Sequence, residues 1–530
     1  MRHDRLRVHL VGVAGTSRDI LLATFALAST VMGDPELRDA VELTVRHYPY
    51  ILPADSEKGA ETVAADCLDC AADVVGFSTY TWNYDVIVRT AAILRKKSPG
   101  TKIVLGGPEI AAADLHRGRF ADLPIDFLVI GEGEVPLVEL LGRLCTDRDA
   151  DGRGIPRTAW RRGDELVWEA IDDPSLALVD DLSALPSAYL SGAVPERLLA
   201  RPGVQANVET QRGCTLRCAY CLYHASYRTV RYRDPEVVIA EIEYLHDHGV
   251  RDFRITDANF LSRKAHAATI LEALIERDVH MSFFVEVIPS FLDAEVADLL
   301  RRFSRLSPAN HVLVGIGLQT TNKPSLVAIR RRLPIEHFSR AYEALSSAGV
   351  IIKTDVIVGL PYETRTSFFQ TLEFVAGHMR SGFNFLSIAV LRVLPGTELA
   401  AVADTAGLSV TDDSEHFVSE TPTMPREDMV DCLRMSTVAT RLFHTLEDED
   451  RLRVRDRYFA VHDALGVSHA QVLEYLSAAF LRHLTGSDAD YAQPDFADAE
   501  HYWSFDVHRD LTDELVLREL DALERDGIRP

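Results

Sequence analysis

Short apolar runs alternate with amphipathic stretches along the first quarter of the chain. The runs Val8–Val13, Val41–Val45, Val74–Ser78, Ile103–Leu105 and Phe127–Ile130 have the length and β-branched content of buried strands. Stretches near 18–32, 84–98 and 134–144 carry apolar residues at helical spacing. Such alternation predicts a parallel sheet covered on both faces. Two of the runs end in glycine-rich turns, Gly106-Gly107-Pro108-Glu109 and Gly131-Glu132-Gly133-Glu134. Glycines at strand carboxyl ends let a ligand approach the backbone, at the edge where open α/β sheets bind cofactors.

Residues 147–203 lose this periodicity and read as a connector with one hairpin. A second alternation starts at Val204, with strands expected at Gln205–Glu209, Phe253–Thr256, Ser282–Val287, Val312–Leu318, Ile351–Val358 and Phe385–Leu391. Helices near 235–248, 263–277, 292–303, 335–348 and 365–380 separate them. Six strand–helix units suit a partial (β/α)6 barrel, open on one side, with its chemistry at the strand carboxyl ends. Beyond about residue 410 only helical spacing is left, in 427–447, 451–465, 468–484 and 510–525, which predicts a small helical domain. The expected division is therefore 1–146, a linker 147–203, a barrel 204–408 and a helical domain 409–530.

Composition changes this picture little: 47% hydrophobic and 26% charged residues are ordinary for a globular chain. The net charge of −24 argues against nonspecific nucleic-acid binding, which needs Lys and Arg against phosphates. No apolar stretch approaches the roughly 20 residues of a membrane helix, and Val8–Val13 is too short for a signal-peptide core. Seven cysteines in 530 residues are too few for a disulfide scaffold and point to a reducing, cytoplasmic setting.

Three of the seven fall within eight residues. The loop after the first barrel strand reads Gln211-Arg212-Gly213-Cys214-Thr215-Leu216-Arg217-Cys218-Ala219-Tyr220-Cys221. Three thiolates can hold three irons of a 4Fe–4S cubane and leave the fourth without a protein ligand. Arg212 and Arg217 are expected beside the thiolates, lowering their pKa values. Zinc would want four ligands in two separated pairs, and His224 would have to serve as the fourth. Cys67 and Cys70 sit in what reads as a helix, and Cys145 and Cys432 are isolated, so these four read as ordinary thiols.

The stretch from about 204 to 400 resembles the radical S-adenosylmethionine (SAM) superfamily, whose signature is C-x3-C-x-aromatic-C after the first barrel strand. The resemblance implies a 4Fe–4S cluster on Cys214, Cys218 and Cys221, with Tyr220 packed near the adenine of SAM. It also implies reductive cleavage of SAM to a 5′-deoxyadenosyl radical, with electrons from an external flavodoxin- or ferredoxin-type donor. Asp257, after the second barrel strand, stands where the family binds the SAM amino group. A helix N-cap is an equal reading for Asp257 and Asn259. Glu286, alone among apolar neighbours on the third strand, needs a partner: SAM in a catalytic role, or a salt bridge. Gln319 and Gly359, after strands four and five, resemble elements lining the SAM pocket.

Ser78, Gly106, Gly107, Glu132 and Gly133 lie in segments that resemble the Rossmann-like cobalamin-binding domain often found ahead of a radical SAM barrel. The D-x-H-x-x-G element that supplies a histidine below cobalt is missing, and His47 lacks its surroundings. Together the two resemblances imply a cobalamin-dependent methyltransferase working through a 5′-deoxyadenosyl radical and methylcobalamin. Its substrate would be an unactivated carbon, or phosphorus, of a small molecule or peptide. Rearrangement, ring contraction or cyclisation with the same cofactors is the alternative. Neither a membrane nor a nucleic acid is an expected partner.

Overall fold

A computed structural model describes residues 5–223, 229–411, 415–445, 449–485 and 512–528. Its first sheet has seven strands in the order β2-β1-β3-β4-β5-β6-β7. These are β1 Leu6–Val13, β2 Val41–Tyr48, β3 Val74–Ser78, β4 Lys102–Gly106, β5 Phe127–Val129, β6 Thr158–Arg162 and β7 Glu165–Trp168. The first five are parallel, and β6 and β7 add antiparallel at one edge. The hairpin therefore belongs to this sheet: Ala159 and Trp160 bury against β5 and the helix Glu134–Thr146, so the sheet does not end where the connector was expected to begin.

Two short strands, β9 Gln211–Arg212 and β10 Arg231–Tyr232, pair antiparallel after β8 Gln205–Val208. β8 starts the second sheet, which continues through β11 Asp252–Ile255, β12 Ser282–Val287, β13 Val312–Gln319, β14 Ile351–Val358 and β15 Asn384–Val390. All neighbours here are parallel and follow chain order, β8-β11-β12-β13-β14-β15, as in a six-stranded partial barrel. Period-two alternation separates the faces. Phe253, Val285, Ile316 and Val356 join the apolar layer under the helices, while the alternate positions Arg254, Phe284, Glu286, Lys353, Asp355 and Ser387 stay partly or fully accessible. A lumen lined with charge, not plugged by aliphatic layers, leaves space for a polar ligand.

Both margins of this open sheet are covered. Asp19 bridges Gln205 in parallel, and the Ile20 N–H donates to the Gln205 carbonyl at 3.3 Å. At the far margin, His444 bridges Phe385, and the Thr445 N–H donates to the Asn384 carbonyl at 2.8 Å. Unpaired strand margins invite association with other chains, and here each is satisfied within the chain.

The helices Arg426–Phe443, Glu449–Leu465, His469–Thr485 and Asp513–Asp526 do not form a core of their own. Leu433, Val438, Tyr458, Leu473 and Leu520 belong to the same buried cluster as the barrel strands. The expected separate helical domain is thus a layer on the barrel. Among the described residues no helix is long and apolar enough to cross a membrane.

His9 and His47 give the first sheet a pH dependence. Burial pushes both down to about 4, helped by Arg46 for His9 and by Arg201 for His47. Between pH 6.5 and 4 the unfolded chain therefore binds more protons than the folded one, and stability falls as pH falls. Acidification from pH 7 to 5 should lower the melting temperature, followed by tryptophan fluorescence. His9→Leu, which replaces a ring whose two nitrogens have no partner among the described residues, should flatten part of that slope. A flat wild-type profile would contradict the assignment.

Candidate active site

The cysteine loop leaves the barrel through β9 and returns through β10. At its base Asp257 accepts the Thr210 and Gln211 N–H groups at 2.9 and 3.1 Å and the Thr210 hydroxyl at 2.5 Å. Burial pushes its pKa up to about 7 against the pull of those donors. Leaving them without an acceptor would cost about 1–3 kcal/mol each. Asp257 thus braces the base of the loop. Asn259 Oδ1 accepts the Ile288 N–H at 3.0 Å, which fixes the end of β12, while its buried Nδ2 has no partner among the described residues.

Gly213 has φ +103°, and a Cβ there would meet the Thr229 carbonyl oxygen at 2.7 Å. Only glycine lets the outgoing strand turn so close to the returning one. Beyond it, Cys214 Sγ accepts the Leu216 N–H at 3.4 Å, and the Cys221 N–H donates to the Cys218 carbonyl at 3.1 Å. Ala219 is pinned on both sides, donating to Ile329 and accepting from Leu399 at 2.9 and 2.8 Å. Tyr220 packs against a buried cluster that includes Ile329, Ile357 and Leu360. Burial pushes the Cys214 thiol up and Cys221 to about 11, and the neighbouring sulfurs add to the shift.

Arg331 is the cation of this loop. Its Nη1 donates to Cys218 Sγ at 3.7 Å and its Nη2 to the Gly317 carbonyl at 2.5 Å. Burial pulls its pKa down, but Tyr220 and the Cys218 and Cys214 sulfurs hold it above the usual value. The sequence reading gave this place to Arg212 and Arg217. Arg212 instead turns toward three glutamates, Glu209 at 2.9 Å, Glu134 at 2.8 Å and Glu132 at 3.4 Å, and Arg217 is exposed. The run Arg330-Arg331-Arg332 after a barrel strand was the available signal. His224 lies outside the described residues.

In the lumen, Glu286 Oε1 accepts from Lys353 Nζ at 3.3 Å, and Lys353 also bonds Asp355. Gly315 stands between Glu286 and Lys353 in register. A Cβ there would meet Glu286 Oε2 at 2.4 Å, so the missing side chain is what lets the pair meet. Burial and Asp355 push the Glu286 pKa up, and Lys353 opposes them. The expected carboxylate partner is therefore a lysine of the chain.

Gln319 follows a β-bulge with φ +69°, a conformation that non-glycine residues hold only where surroundings enforce it. The enforcement comes from Glu363, fully buried and pushed up to about 8 by burial, which accepts the neighbouring Thr320 hydroxyl at 2.6 Å. Gly359, φ +85°, faces protein: a Cβ would meet Met429 Cε at 3.0 Å. It allows close packing of the helix Arg426–Phe443.

The carboxyl ends of β3, β4 and β5 turn toward the barrel. Ser78 is buried, and the next residue, Thr79, donates its N–H to the Gly106 carbonyl at 2.7 Å. Gly107 has φ +109°, where a Cβ would meet the Thr79 carbonyl oxygen at 2.5 Å. Gly107 thus lets the turn after β4 pack directly against the backbone of Thr79. Gly133, in contrast, abuts Leu27, 3.1 Å from where a Cβ would be, and Glu132 is bonded to arginines of the barrel. His47 is a core residue, accepting the Leu21 N–H at 3.1 Å and stacking on Phe25. All seven cysteines are free, and Cys67 is buried with its thiol pushed up to about 12 by burial.

The donor set fits a 4Fe–4S cluster: three free thiols on one loop, mutually close, with a buried guanidinium beside them. Comparison with known proteins agrees. The radical SAM superfamily model matches residues 208–375, and the B12 binding domain model matches 36–141. The chain is 26% identical over 425 residues to the 2-(S-pantetheinyl)-carbapenam-3-carboxylate methyltransferase of Streptantibioticus cattleyicolor, covering 73% of this chain and 58% of that protein. It is 29% identical over 305 residues to the cobalamin-dependent radical SAM methyltransferase TokK of Streptomyces tokunonensis, covering 56% and 44%. The chain thus spans about half the length of these relatives. In fold it is similar to the radical SAM methyltransferase TsrM from Kitasatospora setae with cobalamin and [4Fe-4S] cluster bound, with a TM-score of 0.61 at 18% identity, over 89% of this chain and 98% of that one. The cofactors of the two domains are a 4Fe–4S cluster with SAM, and cobalamin. The thiol loop thus lies in a domain of the radical SAM superfamily, and a B12 binding domain precedes it in the chain.

Proposed function

We propose that the protein is a cobalamin-dependent methyltransferase that modifies an unactivated carbon, or phosphorus, of a small molecule or peptide. The observation that carries this reading is that the two strands framing the thiol loop are tied by buried ion pairs to the glycine-rich turn that follows β5 of the first sheet. Both relatives named above are methyltransferases. When bound, the cluster supplies one electron for cleavage of SAM, and the corrin cobalt carries a methyl group for transfer.

The chain's own residues have the following roles in this reading. Cys214, Cys218 and Cys221 hold three irons, and Arg331 offsets the charge gathered on their sulfurs. Tyr220 and the strained turn at Gln319 wall the space above the barrel where SAM would lie. Ser78, Gly106 and Gly107 present backbone to the corrin. Glu286, Lys353 and Asp355 line the lumen with paired charge, so a polar substrate can exchange hydrogen bonds with them without stranding a bare ion. Holding these groups in one geometry is the main contribution protein can make to a radical step, since misplacement by about 1 Å costs on the order of a hundredfold. The reductant is an external flavodoxin- or ferredoxin-type protein, and the free thiols suit a cytoplasmic setting.

The test is anaerobic reconstitution with iron, sulfide and cobalamin, then incubation with SAM and dithionite. Formation of both 5′-deoxyadenosine and S-adenosylhomocysteine is expected. With substrate, the product should gain the mass of one methylene unit. 5′-Deoxyadenosine without S-adenosylhomocysteine would replace methylation by ring contraction or cyclisation.

A further inference from the structure

The cysteine loop stands on two legs, β9 on the way out and β10 on the way back, paired through Arg212 opposite Arg231. Each leg points its arginine at one carboxylate of the other unit. Glu132, 6% exposed and three residues beyond β5, meets Arg231 through both oxygens, one contact at 3.2 Å, and Arg212 at 3.4 Å. Its Oε2 also accepts the Val179 N–H at 3.2 Å. Glu134, at the start of the following helix, adds the 2.8 Å contact to Arg212. Arg212 is two residues before Cys214, and on its other side Asp257 grips Thr210 and Gln211. The base of the loop is therefore held from within by the barrel and from outside by the first sheet.

We infer that Glu132 is a positioning residue that locks the cluster loop to the cobalamin-side unit, fixing the separation of the two cofactor sites. This rests on the function proposed above, but the lock itself is a property of the chain. Buried guanidinium groups need carboxylates to offset their lost hydration; Arg212 also meets Glu209 and Glu134, and among the described residues Glu132 is the carboxylate that both legs share.

The test is Glu132→Gln, with Arg231→Lys as the second variant should the first fold poorly. In apo-protein of either variant, amide hydrogen exchange in 210–213 and 229–232 should accelerate at least tenfold, while the barrel strands β12 to β14 keep their protection. In loaded protein, the dipolar broadening between the paramagnetic signals of cob(II)alamin and the reduced cluster should change. S-Adenosylhomocysteine formation should fall at least tenfold relative to 5′-deoxyadenosine, because only the former needs both sites in register. Unchanged exchange at the two legs, or unchanged broadening and product ratio, would overturn the inference. If wild-type protein forms neither nucleoside, the proposed function fails, and the exchange experiment still decides the lock.

Discussion

Cys218→Ala is expected to leave the protein colourless after anaerobic reconstitution with iron and sulfide, and to abolish 5′-deoxyadenosine formation. Without metal, Cys214 and Cys221 resist ionisation: burial pushes both thiols up, and neighbouring sulfurs add to the shift. Thiolates crowded in this way need a cationic partner, and metal binding coupled to proton release supplies one. Loading should therefore improve as pH rises. Cys218 is central to the trio because it is buried and touches Arg331, so its loss leaves two thiols that cannot close a cluster site. Retention of brown colour and SAM cleavage by this variant would remove the basis of the proposed function.

Arg331→Leu should cost ten- to a hundredfold in SAM cleavage, in the range of about 10–100-fold seen when groups supporting metal ligands are removed. Its guanidinium spans Cys218 Sγ and the Gly317 carbonyl, so leucine withdraws a positive charge from the sulfurs and a donor from β13. The midpoint potential of the cluster, followed by electron paramagnetic resonance, should move to more negative values. Arg331→Lys keeps the charge without the fork and should fall between. A leucine variant reduced at the wild-type potential would show that the charge plays no part.

Most strands of both sheets were legible as apolar or alternating runs of strand length, and Val74–Ser78, Ser282–Val287 and Ile351–Val358 have the bounds the sequence suggests. The thiol loop was legible because three cysteines at that spacing after a strand admit few other readings. What escaped was partner choice. A carboxylate at a strand end looks the same in sequence whatever it meets, so the bonds of Asp257 to Thr210 and Gln211 and of Glu132 to Arg231 are not legible there. Arg331 escaped because a triple arginine reads as solvated surface. Residues 18–20 and 444–445 escaped because a one-residue bridge has no periodicity to detect.

Those two bridges bear on any attempt to recombine this protein with its relatives. The strip that closes one side of the barrel sheet comes from the corrin-carrying half, and the strip that closes the other comes from the helical layer. A chimera joined in the 147–203 stretch would pair a foreign strip with β8, and its Asn207 side chain would lose the Ile20 carbonyl it now reaches at 2.8 Å. Grafts should therefore carry Arg18–Ile20 along with the barrel they seal, or expect sticky, poorly soluble hybrids.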